Sequence, residues 1–125
     1  MISKNEPVER RKHRRFQVYH GTYVAIGPPY GKVGPMIDIS MGGLSFRYVH
    51  QKERTNGSYA NIFLTEANFH LEKVPIKTIL DFEVTDESPS SSTKTRRCGL
   101  QFHDLTHDQA SQLEFFIQNY HTGEA

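Results

Sequence analysis

The sequence predicts a mainly all-β fold, a small antiparallel barrel with one C-terminal α-helix. Three observations predict it. Apolar residues alternate with polar ones along most of the chain, turn-forming residues break the pattern at short intervals, and the period becomes helical only after Leu105. With 125 residues the chain has the size of one domain and can bury a hydrophobic core.

The alternation starts at Phe16 and Val18 and continues at Val24 and Ile26, then at Ile37 and Ile39, then at Leu44, Phe46 and Tyr48. In VPIKTILDFEV, Val74, Ile76, Leu80, Phe82 and Val84 fall on one face of an ideal strand and Lys77, Asp81 and Glu83 on the other, which predicts a strand covering a core on one side. SYANIFLTE reads as a strand without a clear facing, and TRRCGLQF as one with Cys98, Leu100 and Phe102 together. GPPYGKVGP at 27–35, QKERTNGS at 51–58 and DESPSSST at 86–93 read as breakers, the last as a mobile hairpin loop. At the end of the chain, Thr106 with Gln109 three residues later forms a capping-box signature, and Asp108 suits the first turn of a helix. Ala110, Leu113, Phe116, Ile117 and Tyr120 then recur at helical spacing, so the apolar stripe of this helix is expected against the barrel wall or mouth.

Charge divides the chain unevenly. Residues 1–15 carry six basic and two acidic side chains, whereas the remaining 110 carry nine and twelve. The stretch RRKHRRF at 10–16 concentrates five cations immediately before the first strand. A flexible basic arm at 1–15 and a barrel with its helix at 16–125 is therefore the expected organisation. No apolar run approaches the roughly 20 residues of a membrane helix and the polar start resembles no signal peptide, so a cytoplasmic protein without membrane contact is expected. The single cysteine, Cys98, excludes an intramolecular disulfide and a cysteine-based zinc cluster. His103 and His107 straddle the helix cap with no third ligand evident, and no metal site is expected. No nucleophile elbow, P-loop or pair of catalytic carboxylates is apparent, so no enzyme is expected.

The stretch DISMGGLSF at 38–46 complements the arginines. If Ile37 and Ile39 point inward, Asp38 and Ser40 share the outward face, and Gly42 and Gly43 supply a turn that can take positive φ and admit a ligand to the backbone. Taken alone, such a segment is more often simply a hairpin turn with a side-chain-to-backbone hydrogen bond, since Asp, Ser and Gly are the usual turn residues. Together with Arg11 and Arg15, which form R-x-x-x-R before the first strand, the D-x-S-x-x-G of Asp38, Ser40 and Gly43 resembles the PilZ domain family of bacterial cyclic di-GMP receptors. The later CGLQFHDLT before a helix adds to the resemblance, which covers roughly residues 8–120.

That resemblance implies a six-stranded antiparallel barrel with a C-terminal helix, no catalysis and no cofactor, and cyclic di-GMP bound between the arm and the outer barrel surface. It assigns the ligand to Arg11, Arg15, Asp38, Ser40 and Gly43, and adds Arg10, whose position in the family influences whether one ligand or an intercalated pair binds. An arginine there is consistent with the pair. The chemistry of the residues agrees: guanidinium groups bond phosphates and the O6/N7 edge of guanine and stack on purines, while the Asp38 carboxylate complements the N1–H and N2–H₂ donors that adenine lacks. Ser40 would add a hydroxyl, and Gly43 would keep the floor of the site clear. Arg96 follows the Cys98 face and Arg97 the outward face; either could support a phosphate, but a solvated strand position explains both, and neither is assigned to the site. The family further implies effects on motility, exopolysaccharide production and biofilm formation through an unidentified downstream protein. Two other readings stay open: a PilZ-like adaptor that binds no nucleotide, and a small nucleic-acid-binding barrel. The acidic body disfavours the latter, and no nucleic-acid partner is expected.

Overall fold

The structure, a computed structural model, describes residues 13–27, 31–49, 57–84 and 94–125. In chain order these form β1 (Phe16–Val18), β2 (Thr22–Ile26), β3 (Lys32–Ile39), β4 (Gly43–Val49), β5 (Tyr59–Leu64), a 3₁₀ turn at Thr65–Ala67, β6 (Phe69–Val84), β7 (Thr95–Phe102), α1 (His107–Tyr120) and β8 (His121–Glu124). Six strands close a ring in the order β2, β5, β6, β7, β4, β3 and back to β2, all pairs antiparallel. The expected six-stranded barrel with one C-terminal helix is thus present. β1 lies outside the ring, pairing Phe16 with Ile39 and Gln17 with Asp38, and β8 pairs with β1 in turn. The polar HTGE of β8 carries no strand signature; the Ala125 N–H extends its pairing by donating to the Arg15 carbonyl at 2.9 Å. Arg10, Arg11 and the loop at 86–93 lie outside the described residues.

Alternation fills the barrel. Leu44, Phe46 and Tyr48 from β4 meet Cys98, Leu100 and Phe102 from β7, and Ala60, Ile62 and Leu64 from β5 complete one apolar cluster. Each fully buried large apolar side chain contributes roughly 1.5–3 kcal/mol. Cys98 is buried as a small core residue, and burial pushes its thiol pKa up to about 11, which makes it a poor nucleophile. The helix starts as its capping box specifies: Gln109 N–H donates to Thr106 Oγ1 at 3.0 Å, and Thr106 N–H to Gln109 Oε1 at 3.1 Å. Gln109 Nε2 also donates to the carbonyls of Glu72 and Lys73, tying the helix start to β6. Leu113, Phe116 and Ile117 then enter the barrel cluster, with the Phe116 ring 4.7 Å from that of Phe69.

Two β-bulges overturn facings that strict alternation predicts. In β3 the register shifts between Met36 and Asp38, so Met36 and Ile39 face the core while Ile37, expected inward, is only partly buried at the bulge. In β6 the shift falls between Thr78 and Leu80, which divides VPIKTILDFEV. Val74 and Ile76 point inward as expected, but Leu80 and Phe82 are turned out to solvent, 43% and 48% exposed, because the extra residue reverses the facing beyond it. A third correction concerns GPPYGKVGP, whose Lys32–Pro35 are strand rather than turn. Gly34 is required there because a Cβ would collide with the Arg47 carbonyl.

The β6 bulge brings Asp81 to the interior side, where it joins a polar network. Lys32, 1% exposed, donates from Nζ to Asp81 Oδ2 at 2.9 Å; Tyr48 Oη donates to the same carboxylate, and Arg96 Nε bonds Oδ1 at 2.7 Å. Burial raises the Asp81 pKa, but hydrogen bonds from Tyr48, Arg96 and Lys32 outweigh it and hold the carboxyl at about 2. Burial and the bond to Asp81 push the Tyr48 phenol up to about 12, so it remains a donor.

Candidate ligand site

The D-x-S-x-x-G segment is the end of β3, a turn, and the start of β4. Asp38 faces outward across from Ser45, whose hydroxyl donates to Asp38 Oδ1 at 2.9 Å. Although on the outer face, Asp38 is only 7% exposed, because neighbouring side chains cover it. Its other oxygen, Oδ2, faces Arg15 Nη1 at 4.0 Å and Arg97 Nη2 at 3.9 Å. Both separations exceed a direct hydrogen bond. One carboxylate oxygen therefore stands between two guanidinium groups, each roughly one-third exposed.

Ser40 builds the turn. Its N–H donates to the Gly43 carbonyl at 2.8 Å, and its Oγ accepts from the N–H groups of Gly42 and Gly43 at 3.1 and 3.2 Å. Ser40 is 6% exposed, so its hydroxyl serves the backbone first. Neither Gly42 nor Gly43 takes the positive φ expected of them; among the described residues the positive-φ glycines are Gly21 and Gly123. Gly43 is needed for a different reason: a Cβ there would strike the Leu100 carbonyl of β7. Close strand approach, rather than backbone freedom, selects glycine at 43.

The last residues of the basic arm reach this turn. Arg14 Nε pairs with Glu124 at 3.2 Å, and the His13 ring lies against Gly42. A cleft of about 770 Å³ opens beside them, within the usual range for small-molecule sites, with Arg15, Ser40 and Arg97 at its polar side and Ile79, Leu80 and Phe82 at its apolar side. It juxtaposes paired guanidiniums for an anion with exposed apolar surface for a planar ring, while the Asp38 carboxylate stands behind the two arginines rather than in the lining.

A family model for the PilZ domain matches residues 9–119. The chain belongs to the PilZ domain family. Among solved structures, the PilZ domain of YcgR from Escherichia coli, determined with c-di-GMP, is similar with a TM-score of 0.67 at 14% identity, over 88% of this chain and 90% of that one. MrkH of K. pneumonia in its c-di-GMP complex gives 0.68 at 17% identity, over 90% of this chain and 52% of that one. MrkH in its apo state gives 0.65 at 17% identity, over 89% and 50%. The chain spans about half the length of MrkH, and at these identities the likeness is one of fold. No curated protein matches the sequence.

In this PilZ domain the described members of the expected site, Arg15, Asp38, Ser40 and Gly43, gather around one turn, while Arg10 and Arg11 lie outside the described residues. Sequence reasoning left out Arg97, although its outward facing was legible from its neighbour Cys98. Leu80 and Phe82 carried no usable signal, because the bulge that exposes them leaves no mark in an apolar alternation. His103 and His107 address separate partners, Asp104 at 3.3 Å and Ser111 at 3.4 Å. Among the described residues no group of three or more histidine, cysteine or acidic side chains could hold a metal ion, and no helix is long and apolar enough to cross a membrane.

Proposed function

We propose that this PilZ domain is a cytoplasmic, non-catalytic receptor for cyclic di-GMP, which it holds between the arm of residues 1–15 and the outer barrel surface. The observation that carries this reading is the Asp38 carboxylate set between Arg15 and Arg97, both of which line the 770 Å³ cleft. The guanidiniums of Arg11 and Arg15 take the phosphates and guanine faces, and Asp38 accepts from guanine N1–H and N2–H₂. Ser40 and Gly43 contribute chiefly by fixing the turn that presents Asp38. Arg10 supports an intercalated pair of ligands, because two stacked dinucleotides bring four phosphates and further guanine faces that need another cation. Mutual repulsion among Arg10, Arg11, Lys12, Arg14 and Arg15 is relieved when the dianionic ligand binds, so binding orders the arm and alters the surface offered to a downstream protein. Effects on motility or biofilm formation would pass through that partner.

Calorimetric titration tests the reading, with GMP and a DNA oligomer as controls. Saturable binding of cyclic di-GMP at two per chain, falling to one in Arg10→Leu, is expected, with neither control competing. Tight DNA binding would favour the nucleic-acid reading, and no binding of either would favour the adaptor. Saturation of the wild type at one ligand, or an unchanged two in Arg10→Leu, would reject the paired-ligand assignment alone.

A further inference from the structure

We infer that His13 and Gly42, neither of which is a motif arginine, aspartate, serine or glycine, form a ring-on-glycine seat that positions the arm over the turn. A Cβ built on Gly42 would lie 2.7 Å from His13 Cδ2, 3.5 Å from Nε2 and 3.7 Å from Cγ, so the imidazole occupies the space a side chain would need. Gly42 does not take positive φ, so backbone conformation does not demand glycine there. What a side chain there would meet is the His13 ring, which would have to shift.

The seat is rigid on the barrel side. The Gly42 N–H donates to Ser40 Oγ at 3.1 Å, and its carbonyl accepts from the Phe102 N–H at 2.9 Å, which pins both backbone polar groups of the residue. A side chain at 42 could therefore be accommodated only by moving the imidazole. On the arm side, the Arg15 carbonyl accepts from the Ala125 N–H at 2.9 Å and Phe16 pairs with Ile39, so the chain is anchored two residues downstream of His13. His13 is the middle residue of the Arg11 to Arg15 spacing. Held at Gly42 and at β1, the intervening backbone has little freedom to carry the Arg15 guanidinium away from Asp38 Oδ2, 4.0 Å distant. His13 is thus a positioning residue: it acts on the ligand through the arginine beside it, and preorganisation lowers the ordering cost of binding.

The inference rests on the cyclic di-GMP reading, and a double-mutant cycle separates the two. Gly42→Ala and His13→Ala should each weaken cyclic di-GMP binding by roughly tenfold, and the pair together should be no weaker than His13→Ala alone, since the added methyl has no ring left to displace. His13→Phe, which keeps a planar ring, should bind within about threefold of wild type. Melting temperatures of all variants should stay within about 2 °C of wild type, because the clash is relieved by a side chain at the surface. Without ligand, the Gly42 α-proton resonances should lose their ring-current shift in His13→Ala and retain it in His13→Phe. Losses that simply add in the double variant would mean that the methyl obstructs the ligand itself and would overturn the seat, as would undiminished binding by Gly42→Ala or absence of the ring-current shift. If the wild type binds no cyclic di-GMP, the receptor reading fails and the positioning role with it, whereas binding that survives all three substitutions removes the seat and leaves the receptor standing.

Discussion

Replacing Arg11 and Arg15 together by alanine is expected to weaken cyclic di-GMP binding by at least about 100-fold, since each charge-assisted hydrogen bond to an ionised group contributes roughly 1.5–3 kcal/mol and two such groups are removed. The barrel should be indifferent. Arg15 lies on the outer face with its side chain one-third exposed, and Asp38 keeps its hydrogen bond from Ser45 and its neighbour Arg97. Unfolding free energy should therefore change by no more than about 0.5 kcal/mol, as for most surface substitutions. Calorimetry for binding and urea unfolding for stability read the two quantities separately. Full-strength binding by the double variant would falsify the assignment of the arginine motif.

Asp81→Asn should do the opposite, costing about 3 kcal/mol of stability while leaving the ligand site in place. The substitution removes the negative charge addressed by Lys32, Tyr48 and Arg96 in a largely buried setting, and breaking a buried ion pair from one side is far more costly than losing a surface pair. The pH dependence follows in sign. The folded-state pKa of Asp81, about 2, lies below its ordinary value of 3.8, so the stabilisation is fully present above about pH 4 and is lost as pH falls toward 2. At about 1.4 kcal/mol per pKa unit the contribution is on the order of 2 kcal/mol. Urea unfolding of wild type and Asp81→Asn from pH 5 down to 2.5 should show the difference between them narrowing with acidity. Parallel pH profiles would contradict the central place of Asp81 in the network.

The fold was legible because burial on one side of a strand writes itself into the residues. Leu44, Phe46 and Tyr48 alternate in the sequence and alternate in the barrel, and Thr106 with Gln109 marks the helix start that their reciprocal hydrogen bonds make. What escaped was whatever depends on an extra residue in a ladder. The bulge after Thr78 turns Leu80 and Phe82 outward and Asp81 inward, reversing an alternation that looked uninterrupted, and the buried position of Lys32 depends on that same reversal. The site was legible to the extent that its chemistry is concentrated in motifs. Asp38, Ser40, Gly43 and Arg15 become candidates through the resemblance of their motifs to the PilZ family, but the strand contact at Gly43 and the approach of Arg97 to Asp38 arise from pairings between strands distant in sequence, and the bonds of Ser40 to the turn amides from the local geometry of the turn. β8 was invisible for a related reason: four polar residues become a strand only because β1 offers them an edge.

The central claim, that cyclic di-GMP is held between the arm and the outer barrel face, is tested most directly by amide hydrogen exchange with and without the nucleotide. New protection is expected within residues 8–12, upstream of the His13 seat, and around the turn at 38–43, with little change in the Val74–Val84 portion of β6, which is paired with β7 from Ile76 to Val84. Equal protection of the arm in both states, under conditions where calorimetry confirms saturation, would mean a preformed site and would contradict ordering of the arm by the ligand.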